Sequence, residues 1–332
     1  MHFAWRVALA SSLLLHLLPL TVSAQTLGSV SPDAAFSISV QPQYPAPNGS
    51  ATLSLLSSSL DLTNATMAVT VAGKKIYTGP VRPFAVPLGK AGGVTNATVT
   101  VSSGGADYSQ TIAIQPQDVA LVIEPISSAP PLYLGKPLVP LEGSVRVVAV
   151  ATLRTATGKT LDPDTLSYAW TVDGATIANS SGIGRAAVMV ASPLQYRERS
   201  VSVRVQSQDG ASVGGASISL TGAEPTVRIY ENDPLLGIRF GRALFGDYAV
   251  ASSENTLYAA AFSLPISRGA PLLRWFLNGA AAQTGNLITL RPTGSGRGSA
   301  SLSLVASGGN STPATAELSL SFGTTGSNFF GL

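Results

Sequence analysis

The carboxylates are the residues of this chain with the most capacity for chemistry, because the other usual reagents are missing. There is no cysteine, and the only histidines are His2 and His16, both in the first two dozen residues. Those residues read as an export leader, so the mature chain holds neither imidazole nor thiol. Ser-His-Asp and Cys-His constellations then lack their base or their nucleophile, and zinc and copper lose their usual ligands. No G-x-x-x-x-G-K-[ST] phosphate loop occurs. The 17 acidic residues leave a two-carboxylate glycosidase as a formal option, but no spacing pairs two of them, and no catalytic residue is assigned. Asp162 and Asp164 flank Pro163, and Glu124 and Glu231-Asn232-Asp233 are further acidic positions. Calcium wants roughly six to eight oxygens. Asp162 and Asp164 supply two carboxylates, and by themselves read as a capped, solvated turn. No other cofactor is expected.

Charge excludes another class. Of 332 residues 11% are charged, and the net charge is +3. The 20 basic residues are scattered, densest at Lys74-Lys75 and at Arg197 and Arg199. No basic stripe follows a phosphate backbone, so nucleic acid is not an expected partner.

Arg6, the apolar run Val7 to Leu20 and the small residues Val22-Ser23-Ala24 have the layout of a secretory signal cleaved after Ala24. An uncleaved signal anchor is the alternative. No later segment has the roughly 18–20 apolar residues of a membrane span. The absence of cysteine fits a bacterial envelope protein better than a disulfide-braced animal one.

The elements that position these residues are strands. Phe36, Ile38 and Val40 alternate with serines, and the same period of two runs through Thr98–Val101, Val201–Val205 and Leu318–Phe322. Gly and Pro punctuate the runs, and long helical periodicity is missing after the leader. A pattern also repeats. Val69-Thr70-Val71-Ala72-Gly73, Trp170-Thr171-Val172-Asp173-Gly174 and Trp275-Phe276-Leu277-Asn278-Gly279 recur 101 and 105 residues apart, the size of one sandwich domain. Each predicts a core plug (Val69, Trp170, Trp275) followed by a turn glycine (Gly73, Gly174, Gly279). Gln115-Pro116-Gln117 and Glu224-Pro225 mark boundaries. The expected organisation is a leader over 1–24, immunoglobulin-like blocks over 30–115, 117–222 and 224–324, and a tail over 325–332. Short linkers predict a semi-rigid rod. Gly294 to Gly298 reads as a hairpin loop, and Phe329-Phe330-Gly331-Leu332 as an end that folds back or docks.

Leu161 to Gly174, with its D-x-D loop, Tyr168-Ala169-Trp170 and Val172-Asp173-Gly174, resembles the segment entering strand C of PKD-like and bacterial cadherin-like immunoglobulin domains. The resemblance implies Tyr168 and Trp170 on one face, with Trp170 between the sheets. Some of those relatives bind calcium through the Asp-rich loop, which makes Asp162 and Asp164 candidate calcium ligands, with Glu124 and Glu231-Asn232-Asp233 as other candidates and a solvated turn as the alternative. It extends to Trp275–Gly279 and more weakly to the first block, where Val69 replaces Trp. More broadly, Pro42–Pro47, Asp118–Pro125, Tyr230–Gly237 and the Phe-Gly-Leu end resemble uncharacterised exported tandem-repeat proteins of candidate-phylum (Patescibacteria-type) bacteria. That likeness imports no activity. It implies an envelope or surface position, with envelope or surface-filament proteins as partners.

The expected protein is all-β, a tandem of about three immunoglobulin-like β-sandwiches, and a non-catalytic exported interaction protein. An adhesin for a foreign surface or glycan is the alternative, with Tyr196 and Tyr230 as its isolated aromatic candidates. A carbohydrate-active enzyme ranks last.

Overall fold

A computed structural model describes residues 35–323, apart from 132, 251, 294–296 and 310. The leader, the start of the first block, the tail and the centre of the 294–298 loop lie outside the described residues. Within them the protein is all-β, with two short 3-10 turns as its helical pieces. No described helix is long and apolar enough to cross a membrane.

The first seven strands are β1 (Ser37–Gln41), β2 (Ser50–Leu56), β3 (Thr66–Val71), β4 (Lys74–Pro80), β5 (Phe84–Pro87), β6 (Thr95–Ser103) and β7 (Ala106–Ile114). They form sheets β1-β2-β5 and β4-β3-β6-β7. The next are β8 (Asp118–Pro125), β9 (Ser144–Thr152), β10 (Ser167–Val172), β11 (Ala175–Thr176), β12 (Gly182–Ile183), β13 (Ala187–Ala191), β14 (Glu198–Gln206) and β15 (Val213–Thr221). Their sheets are β13-β9-β8 and β11-β10-β14-β15, with β12 also on β10. The last are β16 (Thr226–Asp233), β17 (Gly237–Ile238), β18 (Gly246–Val250), β19 (Asn255–Phe262), β20 (Leu272–Leu277), β21 (Ala280–Thr284), β22 (Leu287–Leu290), β23 (Gly298–Ser307) and β24 (Ala314–Phe322). They make sheets β17-β16-β19-β22 and β18-β24-β23-β20-β21, with β18 parallel to β24.

Period-two patterning explains the burial. Val145, Val147, Ala149 and Ala151 of β9 face one core together with Tyr168, Trp170, Val201, Val203 and Val205 of the opposing sheet. A second core joins Val227, Ile229, Leu257 and Ala259 to Trp275, Leu302, Leu304 and Leu320. Each is a sandwich, two sheets sharing the side chains between them. Every such Val or Leu contributes roughly 1.5–3 kcal/mol by leaving water.

The repeat is a structural one. Ala72-Gly73, Asp173-Gly174 and Asn278-Gly279 all have positive φ, between 48 and 82°, the conformation of a two-residue type I′ hairpin turn. The first turn residue then bonds the neighbouring strand at matching places. Ala72, Asp173 and Asn278 donate their N–H to the carbonyls of Asn96, Ser200 and Ser301 at 3.2, 2.9 and 2.8 Å. In the later two copies the side-chain Oδ1 also accepts the N–H of Ser200 and Ser301, at 2.9 Å each. The core plugs sit opposite equivalent residues: Val69 on Val99, Trp170 on Val203, Trp275 on Leu304.

Contacts gather the chain into two compact units. Among the described residues, one is 35–40, Leu53–Phe84 and Asn96–Ala113, and the other is Gln41–Thr52, Ala85–Thr95 and 114–323. In the first, β3, β4, β6 and most of β7 bury Met67, Val69, Ala97, Val99 and Val101. In the second, the segments at both linkers are tied by hydrogen bonds. Buried Gln117 donates from Nε2 to the Arg154 carbonyl and accepts the Arg154 N–H at Oε1, both at 2.8 Å. Gly92 N–H reaches the Pro116 carbonyl at 2.9 Å. Further on, Ser128 N–H donates to Leu264 O at 2.8 Å, and Ile266 N–H to Ile126 O at 3.2 Å. Tyr133 meets Phe262 edge-on at 5.3 Å.

Candidate functional site

The Asp162–Asp164 loop is held as a turn. Asp162 Oδ1 accepts the Asp164 N–H at 3.1 Å, capping the 3-10 turn Pro163–Thr165, and Thr165 Oγ1 donates to the Asp162 carbonyl at 2.8 Å. The buried Tyr168 ring sends its hydroxyl to the Pro163 carbonyl at 3.1 Å. Burial, with Asp164 and Asp162 nearby, raises the phenol above its ordinary range. No third acidic, His or Cys side chain joins the two carboxylates, and among the described residues no group of three or more such ligands forms. Glu124 instead pairs with Arg146 at 2.6 Å, Glu231 with Arg239 at 3.5 Å, and Asp233 accepts the N–H groups of Leu235 and Leu236 at 2.8 and 3.0 Å.

Trp170, Trp275, Tyr168 and Val69 are core residues. Trp170 Nε1 donates to the Arg185 carbonyl and Trp275 Nε1 to the Gly285 carbonyl, both at 2.9 Å. A buried indole keeps its N–H satisfied in this way. Of the two aromatic adhesin candidates, Tyr196 is 94% exposed in a left-handed backbone (φ 60°). Tyr230 is a correction. It is buried against Tyr258, and Phe240 stands edge-on between the two rings at 5.2 and 5.9 Å. Alternation along β16 places Tyr230 on the outer face of its sheet, but the 238–243 segment folds over that face and covers it.

The same segment lines a depression of about 670 Å³ between β16 and β18. The Ile229 carbonyl accepts Leu244 N–H at 2.8 Å, and the Glu231 carbonyl accepts Arg239 N–H at 2.9 Å, pinning the loop to β16. Its rim carries Leu236 and Phe245, 74% and 82% exposed. Arg239, Arg242, Glu231 and Asp247 supply charge, and Tyr248 lines the wall. Burial and the Glu231 charge raise the Tyr248 phenol, so it stays a neutral donor. Among the described residues no carboxylate pairs with the Arg242 guanidinium. Two apolar anchors beside an unpaired guanidinium can hold an extended ligand with an anionic group. Sequence reasoning missed Phe245 and Arg242. Their signal was Phe240-Gly241-Arg242-Ala243-Leu244-Phe245-Gly246, a loop too apolar for open solvent.

No family model and no curated protein matches the chain. Among solved structures it is similar to three N-terminal domains of the highly immunogenic outer capsid protein of bacteriophage RB49, at 13% identity over 88% of this chain and 100% of that one, TM-score 0.24. It is also similar to the central fibronectin-III array of RIM-binding protein, at 11% identity over 90% and 100%, TM-score 0.28. SGBP-B of the mixed-linkage glucan utilization locus of Bacteroides ovatus, solved with a mixed-linkage heptasaccharide, matches at 13% identity over 91% and 78%, TM-score 0.21. At these scores the likenesses say nothing about partner or chemistry.

Proposed function

We propose that this chain is an exported, non-catalytic interaction protein of a bacterial envelope or cell surface. Its third block holds an envelope or surface-filament protein in the depression rimmed by Leu236 and Phe245. The observation that carries this reading is the rim itself. Two large apolar side chains stand in solvent around a concavity that holds the Arg242 guanidinium, while a mature chain without His or Cys lacks the Ser-His-Asp and Cys-His constellations. Interfaces are anchored by aromatic and Arg side chains in this way. The test is in-cell crosslinking of tagged protein followed by identification of captured partners. Capture of envelope or filament subunits by wild type, and its loss in Phe245→Ala and Arg242→Glu, is the expected result. Equal capture by all three would remove the depression from the account.

A second reading, adhesion to a foreign glycan, is favoured by Tyr196, whose ring stands free beside exposed Leu194. Binding to a glycan panel that disappears in Tyr196→Ala would establish it, and no binding by wild type would sink it.

A further inference from the structure

The edges of the sheets differ in how they are guarded. Natural edges are blunted by charge, proline, bulges or shortness. β4 opens on Lys74-Lys75, ends at Pro80 and carries a register shift. β21 is shifted too, β5 ends at Pro87 and β11 has two residues. β22 has four residues and is followed by Arg291 and Pro292. β13 has none of these devices within its five residues, and Arg185 and Pro193 lie two positions outside its ends. It is the outer strand of the sheet β13-β9-β8, its five residues are uncharged, and it pairs with β9 without a shift. Its sequence is Ala187-Val188-Met189-Val190-Ala191, the same in both directions.

The hydrogen-bond phase is fixed by the bonds that bracket the strand. Ala149 N–H donates to Ala186 O at 2.8 Å, and Ser192 N–H to Gly143 O at 2.9 Å. Antiparallel bonding alternates residue by residue, so Val188 and Val190 turn their main-chain groups toward β9. Ala187, Met189 and Ala191 turn theirs outward. The nearby 3-10 turn Ala178–Ser180 makes no hydrogen bond to them, and Met189 is 51% exposed.

We propose that β13 is a self-association edge, on which a second copy of this chain pairs antiparallel about a two-fold axis through Met189. The occupant follows from the palindrome and the phase together. In that register Met189 lies opposite its own copy and Ala187 opposite Ala191, so every outward-bonding residue meets another. Val188 and Val190 stay on their core faces, and two three-stranded sheets become one of six. A one-residue slip would set outward groups against inward ones. Like charges do not collide. Arg146, beside Met189 on β9, is neutralised by Glu124 and stands about 14 Å from its copy, three strand spacings away.

The experiment is sedimentation velocity of the full exported chain over a concentration series, with single-cysteine crosslinking to read the register. Wild type should shift from monomer to dimer with concentration. Met189→Lys should stay monomeric at every concentration with unchanged thermal unfolding. The native chain has no cysteine, so an introduced one reports alone. Under oxidation Met189→Cys should form covalent dimer, since directly opposed bonded residues lie about 5.5 Å apart at Cα, within disulfide reach. Ala191→Cys should not, because its copy is about 13 Å along the ladder. A wild type monomeric throughout, or Ala191→Cys crosslinking as fast as Met189→Cys, would overturn the proposal.

Discussion

Replacing Trp170 with alanine separates a core residue from a surface one by a wide margin. The ring is wholly buried among residues of both sheets of the second block. Its loss should cost about 3–5 kcal/mol in packing and residual cavity. A further effect of about 1–3 kcal/mol follows if the Arg185 carbonyl, now without the indole N–H at 2.9 Å, finds no water. With a urea slope of roughly 1.5 kcal/mol per molar, the packing loss alone moves the midpoint down by about 2–3 M. Trp170→Phe keeps much of the volume and removes the donor, so its shift should be smaller, about 1 M.

Urea denaturation followed by far-ultraviolet circular dichroism reads this change. The other indole beyond the leader is Trp275, which belongs to its own core. Its fluorescence therefore reports the third block during the same titration. A midpoint shift below about 0.5 M for Trp170→Ala would refute the buried-plug reasoning, since exposed substitutions fall in that range. A shift in which Ala and Phe are equal would leave the packing argument without support and place the whole effect in the hydrogen bond.

Three further outcomes are expected. Gly92→Ala should destabilise by about 2 kcal/mol or more, because φ is +80° and a Cβ would lie 2.6 Å from the Thr155 carbonyl oxygen; Gly104→Ala, with no obstructing atom, is the control for the backbone effect alone in a thermal melt. Asp162→Ala should cost about 1 kcal/mol through the lost cap, by the same amount with and without added calcium, as measured by scanning calorimetry. The Asp233 carboxyl is held below its ordinary value of 3.8 by the N–H groups of Leu236 and Leu235. Its contribution is therefore present above that value and is lost as pH falls through the lower folded one. The Leu235 and Leu236 amide resonances should move only below about pH 3.8, and movement centred higher would contradict the bonding.

What the sequence made legible is what depends on neighbours along the chain. Alternation around Val145–Ala151 and Val201–Val205 sets which side chains turn inward, because a strand's period is two wherever it pairs. Gly174 and Gly279 were legible because Asp173 and Asn278 before them give the Asp-Gly and Asn-Gly signal of a type I′ turn, whereas Ala72-Gly73 carries no such signal and was legible only through the repeat. The depression was not legible in that way. Phe240 and Phe245 lie five apart in one loop, yet one seals Tyr230 and Tyr258 while the other stands in water. The difference is set by where the Leu244 N–H meets the Ile229 carbonyl, fifteen residues away. Tyr230 failed for the same reason: its strand phase marks it as outward, and only a covering segment with no periodicity of its own puts it inside. The edge of β13 lies between these cases. Its palindrome can be read from the chain, but the residues that bond outward follow only from the β9 register. A self-pairing argument needs both.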